Sequence, residues 1–339
     1  MILIPVFVAL LSFGSTTQAV SLTPATLKRR NDTDLLKPTI IHQFQPPVWL
    51  ENFYIRPNGQ LLINSQSAPE LYLLDPSRPD DKTLVHKFPH TNPGLTGLGG
   101  IVETTPDNYA IIIGDLNHTT VSGQKGSFSI WTISLEDYPR QEPRVAKAVS
   151  LPEATFLNGL TTLENPTVIL ASDSYDGRVY RIDTLTGDTA VVVHPDDTTV
   201  SPSGMEFFVG IDGIRVHRPK NSKTVFLYYN NFMGEGYYRV PIDPELGSPV
   251  GPTETLATNL GLGLDDLDID DYDASWVSAV IASRIIRVDA NKTAETVAES
   301  SELQSVTAVR QGRTCHDTSR FYFVTGEGKV GFIDTSGGL

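Results

Sequence analysis

Leu264-Asp265-Asp266-Leu267-Asp268-Ile269-Asp270-Asp271-Tyr272-Asp273-Ala274-Ser275-Trp276-Val277-Ser278 places six aspartates in nine residues, directly before an apolar run. Side chains of a β-strand alternate between its faces. Asp265, Leu267 and Ile269 therefore read as one face, and Asp266, Asp268 and Asp270 as the other. If the apolar face is buried, Asp265 stands at the entrance of a buried strand. A carboxylate there needs a hydrogen-bond partner, a counter-charge or a cation. Residues 266–273 read as an acidic, solvated turn. Asp265 reads differently, because a polar residue at a strand entrance recurs along the chain.

The recurring unit has three parts. A polar residue opens an alternating strand, a turn leads to an apolar second strand, and a third strand carries Arg, Tyr or Asp. Copies start near Glu51, Gly99-Gly100, Asn158, Asp212, Asp265 and Thr307. The spacing of roughly 40–60 residues is that of propeller blades. No segment has convincing amphipathic helical periodicity. The expected fold is all-β: a six-bladed β-propeller of four-stranded antiparallel blades around a central channel. The segment PTIIHQF, residues 38–44, reads as a strand outside the first copy that supplies the outer strand of the last blade and closes the ring. A large β-sandwich explains the fixed period less well.

Composition fits one such domain of 339 residues with a formal net charge of −14, which argues against nucleic acid and anionic membranes as partners. Residues 1–19 read as a secretory signal peptide and 20–37 as a flexible segment containing Lys28-Arg29-Arg30, a candidate dibasic processing site. The propeller takes 38–339. The apolar run at the N-terminus is too short to span a bilayer. Sequons at Asn31, Asn117 and Asn291 fit a secreted or vesicular glycoprotein. Cys315 is the only cysteine, so the fold is held by its core and not by an internal disulfide.

A ring brings equivalent residues of distant copies to one axis. Glu51, Asn158, Asp212, Asp265 and Thr307 are thus expected to converge, with glycine leaving room in the second copy. Oxygen donors from several strands suit Ca²⁺ or another hard cation. Without a cation, clustered carboxyls repel and at least one has a raised pKa. Two chemistries stay open: metal-activated water, or a metal-free pocket of acids, amides and hydroxyls. His118 and His217 read as surface residues, and Arg178, Arg284 and Arg287 as solvated or paired. Tyr228, Tyr229, Tyr237 and Tyr238 read as packing between sheets, and Cys315 as a core or turn residue.

The pieces Leu50-Glu51-Asn52, Asn158-Gly159-Leu160, Gly210-Ile211-Asp212-Gly213-Ile214 and Asp265-Asp266-Leu267 resemble the SMP-30/gluconolactonase superfamily of six-bladed propellers. The resemblance implies a divalent-metal lactonase site at Glu51, Asn158, Asp212 and Asp265. Asp212 stands where that family carries asparagine, and the wording around Trp49 competes with Glu51 for the glutamate's place. The wording WLENFYIRPNGQLLI and GIDGIRV is similar to a fungal branch acting in secondary metabolism, including hetero-Diels–Alderases that join a quinone methide to a terpene polyene. That branch implies a cofactor-free cyclase with Asn158 and Thr307 as hydrogen-bond partners. In it, Asp212 and Asp265 assist quinone-methide formation or orient a donor. A metal-dependent lactonase and a non-catalytic ligand-binding propeller are the alternatives. In each case the ligand is a small organic molecule.

Overall fold

The computed structural model describes residues 25–89, 92–117, 120–205 and 208–338. The signal-peptide reading and His118 fall outside them. Among the described residues there is no α-helix, only short 3₁₀ turns. Six antiparallel sheets follow one another in chain order, here blades 1–6. Their innermost strands are Leu50–Ile55, Thr96–Thr105, Leu157–Thr162, Ile211–His217, Leu264–Ile269 and Val306–Gln311. The fold is a six-bladed β-propeller.

Thr39–Gln43 pairs antiparallel with Lys329–Asp334 and supplies the outer strand of blade 6. The ring is therefore closed by the start of the domain, as the sequence indicated. Closure also buries apolar surface. Phe44, Leu50, Phe53 and Ile55 pack with Tyr322, Val324 and Val330 in one cluster spanning blades 6 and 1. Each such side chain contributes about 1.5–3 kcal/mol relative to an exposed one. Five further clusters fill the other blade interfaces. Upstream of the ring, Ala25–Thr26 and Lys28–Arg29 pair in parallel with the outer strands of blades 4 and 5, and Arg30 forms an ion pair with Glu295.

The innermost strands share an irregularity near their starts. Leu157 and Leu160 pair with Asp173 and Ala171, so one strand advances three residues while its partner advances two. The same single-residue bulge lies between Leu50 and Asn52, Leu98 and Ile101, Ile211 and Ile214, Leu264 and Leu267, and Val306 and Ala308. An extra residue flips the side-chain alternation on either side of it. This corrects the face assigned to Asp265. Leu264 and Leu267 both enter the core, while Asp265 and Asp266 both leave it.

Glycine follows the bulged residue in blades 2–4 because the strands crowd at the axis. A Cβ on Gly100, Gly159 or Gly213 would lie 2.5–2.6 Å from the carbonyl oxygen of Asn158, Asp212 or Asp265 in the next blade. Side chains of the second strands then hold the bulges: Asn64 donates to Gly99 O at 2.6 Å, Ser172 to Asp212 O at 2.6 Å, and Ser278 to Thr307 O at 2.8 Å. The Asn230 amide donates in the same way to Asp265 O.

The acidic run is mostly built in and not solvated, contrary to expectation. Asp270 caps its own turn and accepts from the Trp276 indole at 2.8 Å, while that indole stacks on Phe321. Asp273 pairs with His217 at 2.7 Å, tying blade 5 to blade 4. Only Asp271 and Tyr272 are exposed. The four tyrosines pack as expected, in the stacked pairs Tyr228–Tyr237 and Tyr229–Tyr238. Arg178 and Arg287 sit beside acidic partners, Arg284 donates to Leu260 O, and Cys315 is an exposed free thiol.

Candidate active site at the axial mouth

Inner strands begin, and second strands end, on one face of the ring. Their loops surround a cavity of about 460 Å³. Glu51, Asn158, Asp212 and Asp265 all line it. They come from blades 1, 3, 4 and 5, and each is the residue that the bulge turns towards the axis. The walls are Trp49, Val121, Phe156, Val209, Phe232, Val280 and Ile281, with Gln66, Ser283, Gln304 and Ser305 as further polar groups. This volume lies within the usual range of about 300–1,000 Å³ for small-molecule pockets.

Thr307 is not part of the cavity lining. It is fully buried, and its hydroxyl donates to Leu50 O at 2.9 Å, joining blade 6 to blade 1. The expectation that it binds substrate is corrected: its position in the repeat is equivalent, but its short side chain is spent on ring closure.

The acidic groups are unlike surface carboxylates. Burial, chiefly, raises the Glu51 pKa to about 7, and the nearby Asp266 charge pushes the same way. Hydrogen bonds from Trp49 and Gln66 to Glu51 oppose the rise, the indole N–H donating at 2.7 Å. Asp212 and Asp265 are raised well above the usual carboxyl range, again by burial first and then by mutual repulsion within the cluster. Asp212 is 2% exposed, and its Oδ1 has no hydrogen-bond partner among the described residues. Burial and mutual repulsion thus favour the protonated, hydrogen-bond-donating form of each carboxyl.

Beneath the cluster lies a plug that sequence reading missed. Asp266 Oδ2 accepts from Arg215 at 2.8 Å and from Asn52 at 3.0 Å, with Arg310 3.5 Å away. Arg310 also donates to Phe53 O and packs over the Tyr54 ring. These buried groups come from blades 1, 4, 5 and 6 and meet at the centre of the ring. Burial works against the Arg215 charge, but Asp266 and Asp268 outweigh it. The signal available in the sequence was Asp266 itself, which stands where blades 2–4 carry glycine.

The donor set of three carboxyls and an amide has the chemistry of a hard-cation site. Among the described residues no three His, Cys, Asp or Glu side chains converge closely enough to hold a metal ion. The Trp49 N–H also occupies one Glu51 oxygen.

No family model matches the chain. It is 28% identical over 255 residues to a protein of Sarocladium schorii named "putative hetero-Diels-Alderase", a match covering 69% of this chain and 60% of that one. It is 27% identical over 325 residues to a protein of Phoma sp named in the same way, covering 87% and 88%. Among solved structures it resembles a calcium-binding regucalcin of Agrobacterium tumefaciens (TM-score 0.58, 14% identity, 92% and 95% covered). It also resembles a luciferin-regenerating enzyme (TM-score 0.60, 13%, 89% and 96%) and virginiamycin B lyase of Staphylococcus aureus (0.56, 12%, 88% and 99%). The resemblance read from the sequence holds. The first relative is matched over less than two thirds of its length, and the solved structures speak for the fold alone. Among the described residues no helix is long and apolar enough to cross a membrane.

Proposed function

We propose that the chain is an enzyme of secondary metabolism, a hetero-Diels–Alderase-like cyclase that joins a quinone methide to a terpene polyene at the axial mouth without a metal. Two relatives with hetero-Diels–Alderase names support the reaction class. The observation that carries the reading is the cavity itself: apolar and aromatic walls around buried carboxyls whose protonated forms burial favours.

Asp212 or Asp265 donates its proton to the benzylic hydroxyl of a hydroxymethyl phenol-like precursor, which leaves as water. The phenolic proton passes to the carboxylate so formed, restoring the acid and leaving a neutral quinone methide. General-acid assistance of this kind supplies roughly 10²–10⁴-fold. The cycloaddition then forms one C–C and one C–O bond and releases nothing. A carboxyl O–H and the Asn158 amide N–H hydrogen-bond the quinone-methide carbonyl, while the walls hold the polyene against it. Fixing both partners in near-attack geometry contributes up to about 7–11 kcal/mol in favourable cases.

The test is product formation from a hydroxybenzyl precursor and a polyene, with and without chelator. Accelerated formation of one stereoisomer that survives chelation supports the reading. A background rate, or activity lost on chelation, defeats it. We further propose passage through the secretory route, consistent with exposed Asn31, Asn117 and Asn291. A glycosidase-sensitive mass shift of the secreted protein tests this.

A further inference from the structure

We infer that the axial cavity is a binding site for organic ammonium ions, which it selects over neutral and anionic molecules of the same shape. Among the described residues, the lining contains no Lys, Arg or His. Arg215 and Arg310, beneath the cavity, are engaged by Asp266. The cavity thus offers ionisable carboxyls and, among the described lining residues, no basic group to pair with them, so an entering ammonium ion is the counter-charge they lack. Asp212 supplies an independent sign of a missing partner: it is almost fully buried, lines the cavity, and has an oxygen with nothing to bond. Trp49, Phe156 and Phe232 add ring faces and edges at the walls, and aromatic faces attract cations most strongly where water is excluded.

The acids and the ammonium ion are linked through protons. Unliganded, Glu51, Asp212 and Asp265 hold protons because they are buried, repel one another and feel Asp266. A bound cation favours their ionised forms, so binding must expel protons. Affinity then rises with pH, steepest below the unliganded Glu51 pKa of about 7, and that group's contribution levels off above it. An anion meets the opposite: every carboxyl that ionises repels it, so its binding fades as the pH rises through about 7.

Benzylamine, benzyl alcohol and benzoate share one ring and differ in charge, so calorimetric titration of the full protein with the three is the test. The ammonium ion is expected to bind roughly tenfold or more tighter than the alcohol, and benzoate not measurably. The heat should vary with the buffer's ionisation enthalpy, reporting proton release, and the affinity should rise between pH 5.5 and 8. Asp212→Asn should weaken the amine severalfold and leave the alcohol unchanged. If that variant is unfolded at the assay temperature, Asp265→Asn gives the same readout. Equal binding of amine and alcohol, binding of benzoate, or amine binding without proton release overturns the inference. Cyclisation is read separately by product formation, so failure of either reading leaves the other standing.

Discussion

Replacing Asp266 by alanine removes the only carboxylate among the described residues that pairs with both Arg215 and Arg310 at the centre of the ring. Asp266 is 2% exposed, Arg215 8% and Arg310 7%. Water therefore cannot take the carboxylate's place without opening the channel. Breaking a buried ion pair from one side costs about 3–5 kcal/mol, because the charge left behind stays desolvated. The loss should exceed the relief of repulsion on Glu51, Asp212 and Asp265, provided the assay is run near pH 6, where those acids are largely protonated. At about 2.1 cal/mol/K per residue over roughly 300 ordered residues, the unfolding entropy is near 0.6 kcal/mol/K. The melting temperature should then fall by about 5–8 °C in a calorimetric scan. The neighbouring exposed Asp271 is the control: Asp271→Ala should stay within about 1 °C. If Asp266→Ala melts with the control, the plug is not a stability element and the reasoning fails.

The contribution of Glu51 to stability should fall as pH rises, opposite in sign to that of lowered carboxyls such as Asp107 and Glu254. The Glu51 pKa is raised from 4.5 to about 7 on folding, so the unfolded chain releases that proton first. Its stabilising contribution is complete below pH 4.5 and is lost as pH rises towards 7. Urea unfolding of Glu51→Gln between pH 5 and 7 should show a slope about 1 kcal/mol per pH unit shallower than the parent's, and an identical slope would refute the assignment. Thr307→Val leaves the Leu50 carbonyl without its hydroxyl donor and should cost about 1–2 kcal/mol while product formation by the folded enzyme is unchanged. A collapse of turnover in the folded variant would return Thr307 to the site. Gly159→Ala would drive a Cβ to 2.6 Å from Asp212 O and should destabilise by about 1–3 kcal/mol, as read by thermal melting. A variant as stable as the parent would show that the inner strands can move apart.

The sequence by itself determined the periodic part of this protein. The recurrence of polar residue, alternating strand, turn and apolar strand follows from strand geometry and repeats six times. The number of blades, the closing strand at Thr39–Gln43 and the convergence of Glu51, Asn158, Asp212 and Asp265 could therefore be read from spacing. The tertiary structure alone decided which way individual side chains turn. One extra residue in each inner strand inverts the alternation, and nothing local announces it except the glycines that crowding at the axis demands. Asp265 thus turned from the core to the cavity, Asp266 became the counter-ion of two arginines, and the Thr307 hydroxyl went to a neighbouring blade. Register across a bulge, and the partner a buried charge finds from another blade, depend on contacts between residues up to 258 positions apart, which no local pattern encodes.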